Sequence, residues 1–321
     1  MIVTVTLNAA VDRTLTVPNF QRAQRHRASA SLTLPGGKGI NVARALKTLG
    51  VPVVATGFVG GSTGHRLVEA LTAEAILNDF VRIEGESRTS TAVVDPADGT
   101  YTEINEWGPA VHPEELQLLL EKLRYLTQGA ELVVFAGSLP RDVSDDFYAE
   151  AIHELSRRHV PAALDSDGEP LRLGVEAEPF LVSPNQSEAE SLVGQEFHDE
   201  EDFRLALEQI ADLGARNVLI TTDSGCVASL RDERRPRRFR VRAPHVEPVS
   251  TVGSGDVLLA GYLAARHAGR AVEDALRAAV AAGAASTLEL GAGRFDQRQA
   301  GRLHGAVEVA ELDPLVEASA G

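Results

Sequence analysis

The sequence predicts an α/β protein: a mainly parallel central sheet with helices on both faces, plus a small β-sheet lid inserted in two pieces. Three observations carry this. Short, continuously apolar, β-branched runs alternate with amphipathic stretches, the pattern of strands covered on both faces by crossover helices. Two segments break that alternation with Thr-, Ser- and Arg-rich runs that read as half-exposed strands. The length, 321 residues, suits one large α/β domain with an appendage.

The chain opens on "IVTVTL", which reads as a strand; without a basic start and a long apolar run it is not read as a signal peptide. "TLTVPNF" and "ASASLTL" form the first lid piece. "PGGKGIN" leads into the helical "INVARALKTLG", which Gly50 stops. "VPVVATGFVG" is a strand, and the glycines of "VGGSTG" precede the helical "HRLVEALTAEA". "TSTAVV" and "YTEINEW" form the second lid piece. The strands "LVVFAG", "PAALDS", "PFLVSPN" and "NVLITTD" then alternate with "DDFYAEAIHELSRRH" and "DEEDFRLALEQIADLG", where apolar residues recur three and four apart. "RDERRPRRFRVRAP" reads as a hairpin with an edge strand guarded by charge and Pro236. The core is therefore assigned to 1–12, 35–88 and 107–313, the lid to 13–34 and 89–106, and a frayed tail to 314–321.

Hydrophobic residues make up 44% and charged residues 24%, ordinary for a soluble domain. No apolar run approaches membrane-spanning length, so no membrane partner and a cytoplasmic location are expected. Lys and Arg total 31 against 46 Asp and Glu, a net charge of -15. That argues against nucleic acid but leaves room for a small anion in a local basic pocket. Cys226 is the single cysteine, so no intrachain disulfide and no cysteine metal site are expected. His26, His65, His112, His198 and His304 lack metal-ligand spacing.

Sites in this architecture lie beyond the C-terminal ends of the strands. Three glycine clusters are candidates, and none is a standard nucleotide loop. In "PGGKGIN" Lys38 is followed by Gly39, not Ser or Thr, and in "TVGSGD" Leu258 stands where a third fingerprint glycine would be. "TVGSGD" still has the physics of an anion hole. Gly253, Ser254 and Gly255 can turn their N–H groups one way, and a helix starting at about Ser254 adds its dipole. Asp256 in the first turn is then either a general base beside that hole or a carboxylate complementing the dipole. On the motif alone both readings stand.

"GGKGINVARAL" together with "STVGSGD" and "AGYLAA" resembles the two signatures of the ribokinase-like (PfkB) carbohydrate kinases. "TLNAAVDRT", "FAGSLP" and "SPNQSEAE" are similar to motifs of the branch that holds 1-phosphofructokinases, tagatose-6-phosphate kinases and minor 6-phosphofructokinases. The likeness covers nearly the whole chain in order. It implies transfer of the γ-phosphate of ATP, with Mg2+, to a hydroxyl of a ketohexose monophosphate, and a homodimer paired through the lids. It implies Asp256 as base and Gly253, Ser254 and Gly255 as the anion hole. Asp12 and Asn41 would bind sugar hydroxyls, and Gly37 would let the sugar approach. Lys38, Arg88, Arg25 and Arg27 would meet the resident phosphate, with Ser138 nearby. Asn185, Thr221, Gly225 and Gly283 would bind nucleotide, and Glu188 with Asn185 would organise the metal, through water. Asn185 and Glu188 also have capping-box spacing, and both roles can coexist.

The chain departs from the branch at Ser183, where lysine is usual, at Thr221-Thr222, where Leu-Gly is usual, and at Ala9, where proline is usual. The first two fall on the nucleotide side. Arg231, Arg234 and Arg235 are candidates for the missing cation. Two alternatives accompany the main reading: a kinase of the same fold for a neutral sugar or nucleoside, and a sugar-phosphate-binding protein with weak or no kinase activity.

Overall fold

The computed structural model describes residues 1–231 and 236–312; Arg234, Arg235 and the expected tail lie outside them. The strands, in chain order, are β1 (Ile2–Thr6), β2 (Ala10–Thr16), β3 (Ala30–Gly36), β4 (Val53–Gly60), β5 (Leu77–Asn78), β6 (Val81–Ile83), β7 (Arg88–Asp95), β8 (Thr100–Asn105), β9 (Leu132–Ala136), β10 (Ala162–Asp165), β11 (Leu181–Val182), β12 (Val218–Thr222), β13 (Gly225–Arg231), β14 (Pro236–Arg242) and β15 (Glu308–Leu312). The helices are α1 (Lys38–Thr48), α2 (Gly61–Ala73), α3 (Pro113–Leu126), α4 (Phe147–Arg157), α5 (Gly168–Glu176), α6 (Gln186–Val193), α7 (Glu200–Leu213), α8 (Ser254–His267), α9 (Val272–Ser286) and α10 (Gln297–His304).

The main sheet has eleven strands in the order β15-β14-β13-β12-β11-β10-β9-β1-β4-β5, with β6 also paired to β4. It is parallel from β5 to β12 and antiparallel from β12 to β15. Burial explains the continuous apolar runs. Along β9, Leu132, Val134 and Ala136 join one core cluster, which contains residues of α1, α2, α8 and α9. Val133 and Phe135 join the other, with residues of α3, α4, α5 and α7. Burying a Leu, Val or Phe side chain in this way stabilises the fold by about 1.5–3 kcal/mol.

Chain progression reverses at β1, whose neighbours are β4 on one side and β9 on the other. A crevice opens at such a switch point. The residues just beyond β1, β9, β10, β11 and β12 therefore face one region.

The second sheet has four strands in the order β3-β2-β7-β8. Its pairing begins where the chain leaves the core, with Ala10 opposite Gly36 and Arg88. Its strands thus reach one to three residues closer to the core than the sequence pattern suggests. Asp95 at the end of β7 accepts hydrogen bonds from Asn19 N at 2.9 Å and Phe20 N at 2.6 Å, pinning the loop after β2.

Two sequence expectations change. The glycines of "VGGSTG" do not leave an open helix start: Glu86 accepts from Ser62 N at 3.1 Å and Thr63 N at 2.5 Å. Those bonds, Thr63 foremost, hold the Glu86 carboxyl down to about 2. The basic hairpin β13–β14 is not a guarded edge, because β15 covers β14. Its arginines are neutralised locally, Arg237 by Glu273 and Glu311 and Arg238 by Glu208. No helix among the described residues is long and apolar enough to cross a membrane.

Candidate active site

A cleft of about 1150 Å³ runs between the small sheet and the C-terminal ends of the main strands. Asp12, Arg88, Ser90, Glu103 and Asn105 line one end. Gly37, Lys38, Asn41 and the start of α8 form the middle. Ser183, Asn185, Thr221, Thr222, Gly225 and Gly283 line the other end.

The sequence builds the middle with glycines that only a missing Cβ permits. Gly37 enters α1 at φ 105, and Gly253 enters α8 at φ 75, both in the region other residues avoid. A Cβ on Gly253 would sit 2.7 Å from Ala292 Cβ, so the turn rests against the loop at Ala292. A Cβ on Gly255 would meet nothing closer than Thr221 Oγ1 at 3.7 Å. The Ser254 amide donates to the Thr251 carbonyl at 3.2 Å, while the amides of Gly255 and Asp256 have no intrahelical acceptor and no side-chain cap. They remain donors at the positive end of the helix.

Asp256 lies in the first turn of α8 and is buried. Its Oδ2 accepts from Asn41 Nδ2 at 2.8 Å. Burial, then the nearby Asp165 carboxylate, raises its pKa well above the usual carboxylate range, against the opposing pull of Lys38 and of the Asn41 hydrogen bond. A buried carboxylate kept basic beside open amides can take a proton from an incoming hydroxyl.

The sequence reading puts Lys38 with Arg88 on the acceptor's resident phosphate, but here Lys38 is engaged by two carboxylates. Its Nζ donates to Asp165 Oδ1 at 2.7 Å and Glu188 Oε1 at 3.0 Å. Burial alone would lower its pKa, but the two carboxylates outweigh that and raise it. The reason is local: Lys38 opens α1 beside the ends of β10 and α6, where two carboxylates need a counter-charge. Glu188 also closes a capping box on α6, accepting from Asn185 N at 2.8 Å while Asn185 Oδ1 accepts from Glu188 N at 2.9 Å.

At the other end, Arg88 Nε donates to the Asn8 carbonyl at 3.1 Å and Nη1 to the Glu106 carbonyl at 3.3 Å. Burial raises the Asp12 carboxyl to about 6, with Arg88 partly offsetting it. The glycine packed on Asp12 is Gly36, whose Cβ would lie 2.0 Å from Asp12 Oδ2. A Cβ on Gly37 would strike Thr6 instead. Ser138 is outside the cleft lining, its hydroxyl accepting from Asn8 Nδ2 at 3.2 Å. Arg25 and Arg27 are exposed on the loop that Asp95 pins and do not line the cleft of their own chain.

At the nucleotide end Ser183 is buried and its Oγ has no hydrogen-bond partner. Arg231 cannot replace a lysine there. It pairs with Pro236 at the far end of the hairpin, whereas Gly225 marks the cleft end. Six residues of strand separate them, about 20 Å. Arg234 and Arg235 lie outside the described residues.

Among the described residues no group of three or more His, Cys, Asp or Glu could hold a metal unaided. Asp165 and Glu188 nevertheless converge on one ammonium. One or two carboxylates plus substrate phosphates is the donor set that suits magnesium. Sequence reading missed Asp165. An aspartate ending a buried parallel strand was a usable signal for it.

A family model described as pfkB family carbohydrate kinase matches residues 3–298. A 1-phosphofructokinase of Borreliella burgdorferi is 34% identical over 289 residues, covering 90% of this chain and 92% of that protein. A 1-phosphofructokinase of Bacillus subtilis is 32% identical over 300 residues, covering 93% and 97%. The structure of phosphofructokinase-2 from Escherichia coli in complex with substrates and products superimposes with a TM-score of 0.87 at 29% identity, covering 95% of this chain and 98% of that one.

Proposed function

The chain belongs to the pfkB family of carbohydrate kinases, and from that premise we propose that it is an ATP-dependent 1-phosphofructokinase, phosphorylating fructose 1-phosphate to the bisphosphate. That it is a phosphotransferase to an alcohol group, of the phosphofructokinase type, follows from the relatives. The choice of acceptor rests on their names. The observation that supports the chemistry is the meeting of Asp256, Asn41 and the open start of α8 in one cleft with Asp12 and Arg88.

In this reading the acceptor hydroxyl gives its proton to Asp256 as its oxygen bonds to the γ-phosphorus. The bond from that phosphorus to the leaving ADP oxygen breaks. The amides at Gly253, Ser254, Gly255 and Asp256 hold the charge of the moving phosphoryl group in a site shielded from water. Asn41 and Asp12 orient the sugar, and Arg88 pairs with its resident phosphate through its planar fork. Mg2+, when bound, would neutralise ATP phosphates, with Asp165 and Glu188 as the residues that would hold it and Lys38 released to the phosphates.

A coupled ADP-release assay with Mg-ATP tests the reading. Fructose 1-phosphate should turn over at least tenfold faster, by kcat/KM, than fructose 6-phosphate, tagatose 6-phosphate or the unphosphorylated sugars. Turnover of none, with thermal stabilisation by a sugar phosphate, would instead assign the protein to ligand binding.

Lys38 and Arg88 are the only Lys or Arg among the described residues lining the cleft. Ser183→Lys should therefore lower the KM for ATP about tenfold, the value of one added charge-assisted hydrogen bond, with kcat nearly unchanged. Steady-state kinetics at saturating acceptor checks this.

We also propose that two copies pair through the small sheets. Strand β8 is an exposed, unpaired edge carrying Tyr101 and Ile104, and Trp107 beside it is 86% exposed. Such an edge invites a second strand. Ile104→Lys should convert a dimer to a monomer in sedimentation, with Tm of the monomer little changed.

A further inference from the structure

Arg44 is a charge the proposed chemistry leaves unused, on α1 one turn beyond Asn41 and only 5% exposed. All five of its N–H donors have acceptors. Nε and Nη2 form a fork with Glu74 at 2.6 and 3.2 Å. That pair alone would balance its charge. The remaining donors go elsewhere: Nη2 to the Pro35 carbonyl at 2.7 Å, Nη1 to the Ala292 carbonyl at 3.0 Å and to Asn41 Oδ1 at 3.3 Å.

Those three acceptors belong to three segments that make the site. Pro35 starts the turn that carries Lys38. Ala292 is the wall against which the Gly253 turn rests. The bond to Asn41 has the most direct consequence. An arginine donates only, so it selects the carbonyl oxygen of the Asn41 amide and leaves the NH2 group for Asp256. Without Arg44 the amide can rotate by half a turn and bring its oxygen against the Asp256 carboxylate.

We propose that Arg44 is a positioning residue for phosphoryl transfer: it fixes the Asn41 amide so that this amide donates to Asp256, and it braces the Ala292 loop beneath the Gly253 turn. The inference rests on the reading of Asp256 as the base. A residue that merely stabilised the fold would not alter the titration of Asp256. Arg44 does so through Asn41, whose hydrogen bond favours the ionised carboxylate.

The test is the pH dependence of kcat, measured with ATP and fructose 1-phosphate, for Arg44→Lys, Glu74→Gln and Leu119→Ala. Leu119 is buried on the opposite face of the sheet and serves as the destabilised control. Arg44→Lys should lower kcat at pH 7 by about 10- to 100-fold, change either KM less than threefold, and move the acid limb up by about one pH unit. Glu74→Gln, which loosens the guanidinium from outside, should move the limb in the same direction by less, and decides the matter if Arg44→Lys does not fold. Leu119→Ala should lower Tm with the limb unmoved. A wild-type limb in both Arg44→Lys and Glu74→Gln, with losses that follow Tm as in the control, would overturn the inference. Failure of the premise looks different: Asp256→Asn would then keep its turnover.

Discussion

Asp256→Asn is expected to fold and to lose about 10²- to 10⁴-fold in kcat, the range for a positioned general base. Asparagine keeps the size and can still bond to Asn41, but it cannot accept the hydroxyl proton. The same substitution should stabilise the ligand-free protein. Burial raises the Asp256 pKa in the folded state, so between its unfolded and folded values the folded state binds more protons than the unfolded one. Stability then falls as pH rises through that window, because ionising the buried group works against the fold. At neutral pH, asparagine removes that penalty. A Tm higher than wild type by about 3 °C or more, with turnover nearly abolished, is the combined signature. Retained turnover would remove Asp256 from the chemistry, and a lower Tm would mean that burial does not penalise its ionised form.

Arg88→Ala should raise the KM for fructose 1-phosphate by about 10- to 100-fold while leaving the KM for ATP within threefold. The magnitude is that of one or two hydrogen bonds to a charged group in a partly buried place. Arg88 is held from behind by the Asn8 and Glu106 carbonyls, so its fork is oriented before a ligand arrives. Asp12 beside it should respond as well. Without the arginine its carboxyl, already raised to about 6, would rise further. An unchanged acceptor KM would favour a neutral sugar or a nucleoside as the substrate.

The parts of the molecule legible in the sequence are those set by short-range pattern. β9 is readable because both of its faces are buried, and α8 because an apolar helix follows a glycine turn directly. The glycines of "TVGSGD" likewise announced a turn into a helix start, and the structure has Gly253 there at φ 75. What was not legible depends on distant partners. β14 read as an edge because β15 comes from the end of the described chain and its "EVAEL" is mostly exposed. Lys38 was assigned to the acceptor phosphate because its partner Asp165 is 127 residues away. The link from Arg44 to Ala292 spans 248 residues. The open start of α8 and the Glu86-filled start of α2 look alike in sequence, since the carboxylate that separates them lies beyond the helix, 23 residues after Thr63.

The small sheet joins the core at Ala10, Gly36 and Arg88, and Asp12 and Arg88 stand at that root. β7 rises seven residues from Arg88 to Asp95, about 23 Å at the usual rise per residue. A rotation at the root is therefore amplified along the strand: a tilt of about 10° carries the far end some 4 Å by simple leverage. In the proposed reading, a ligand held by Asp12 and Arg88 acts at this fulcrum, where a small rotation has its longest reach.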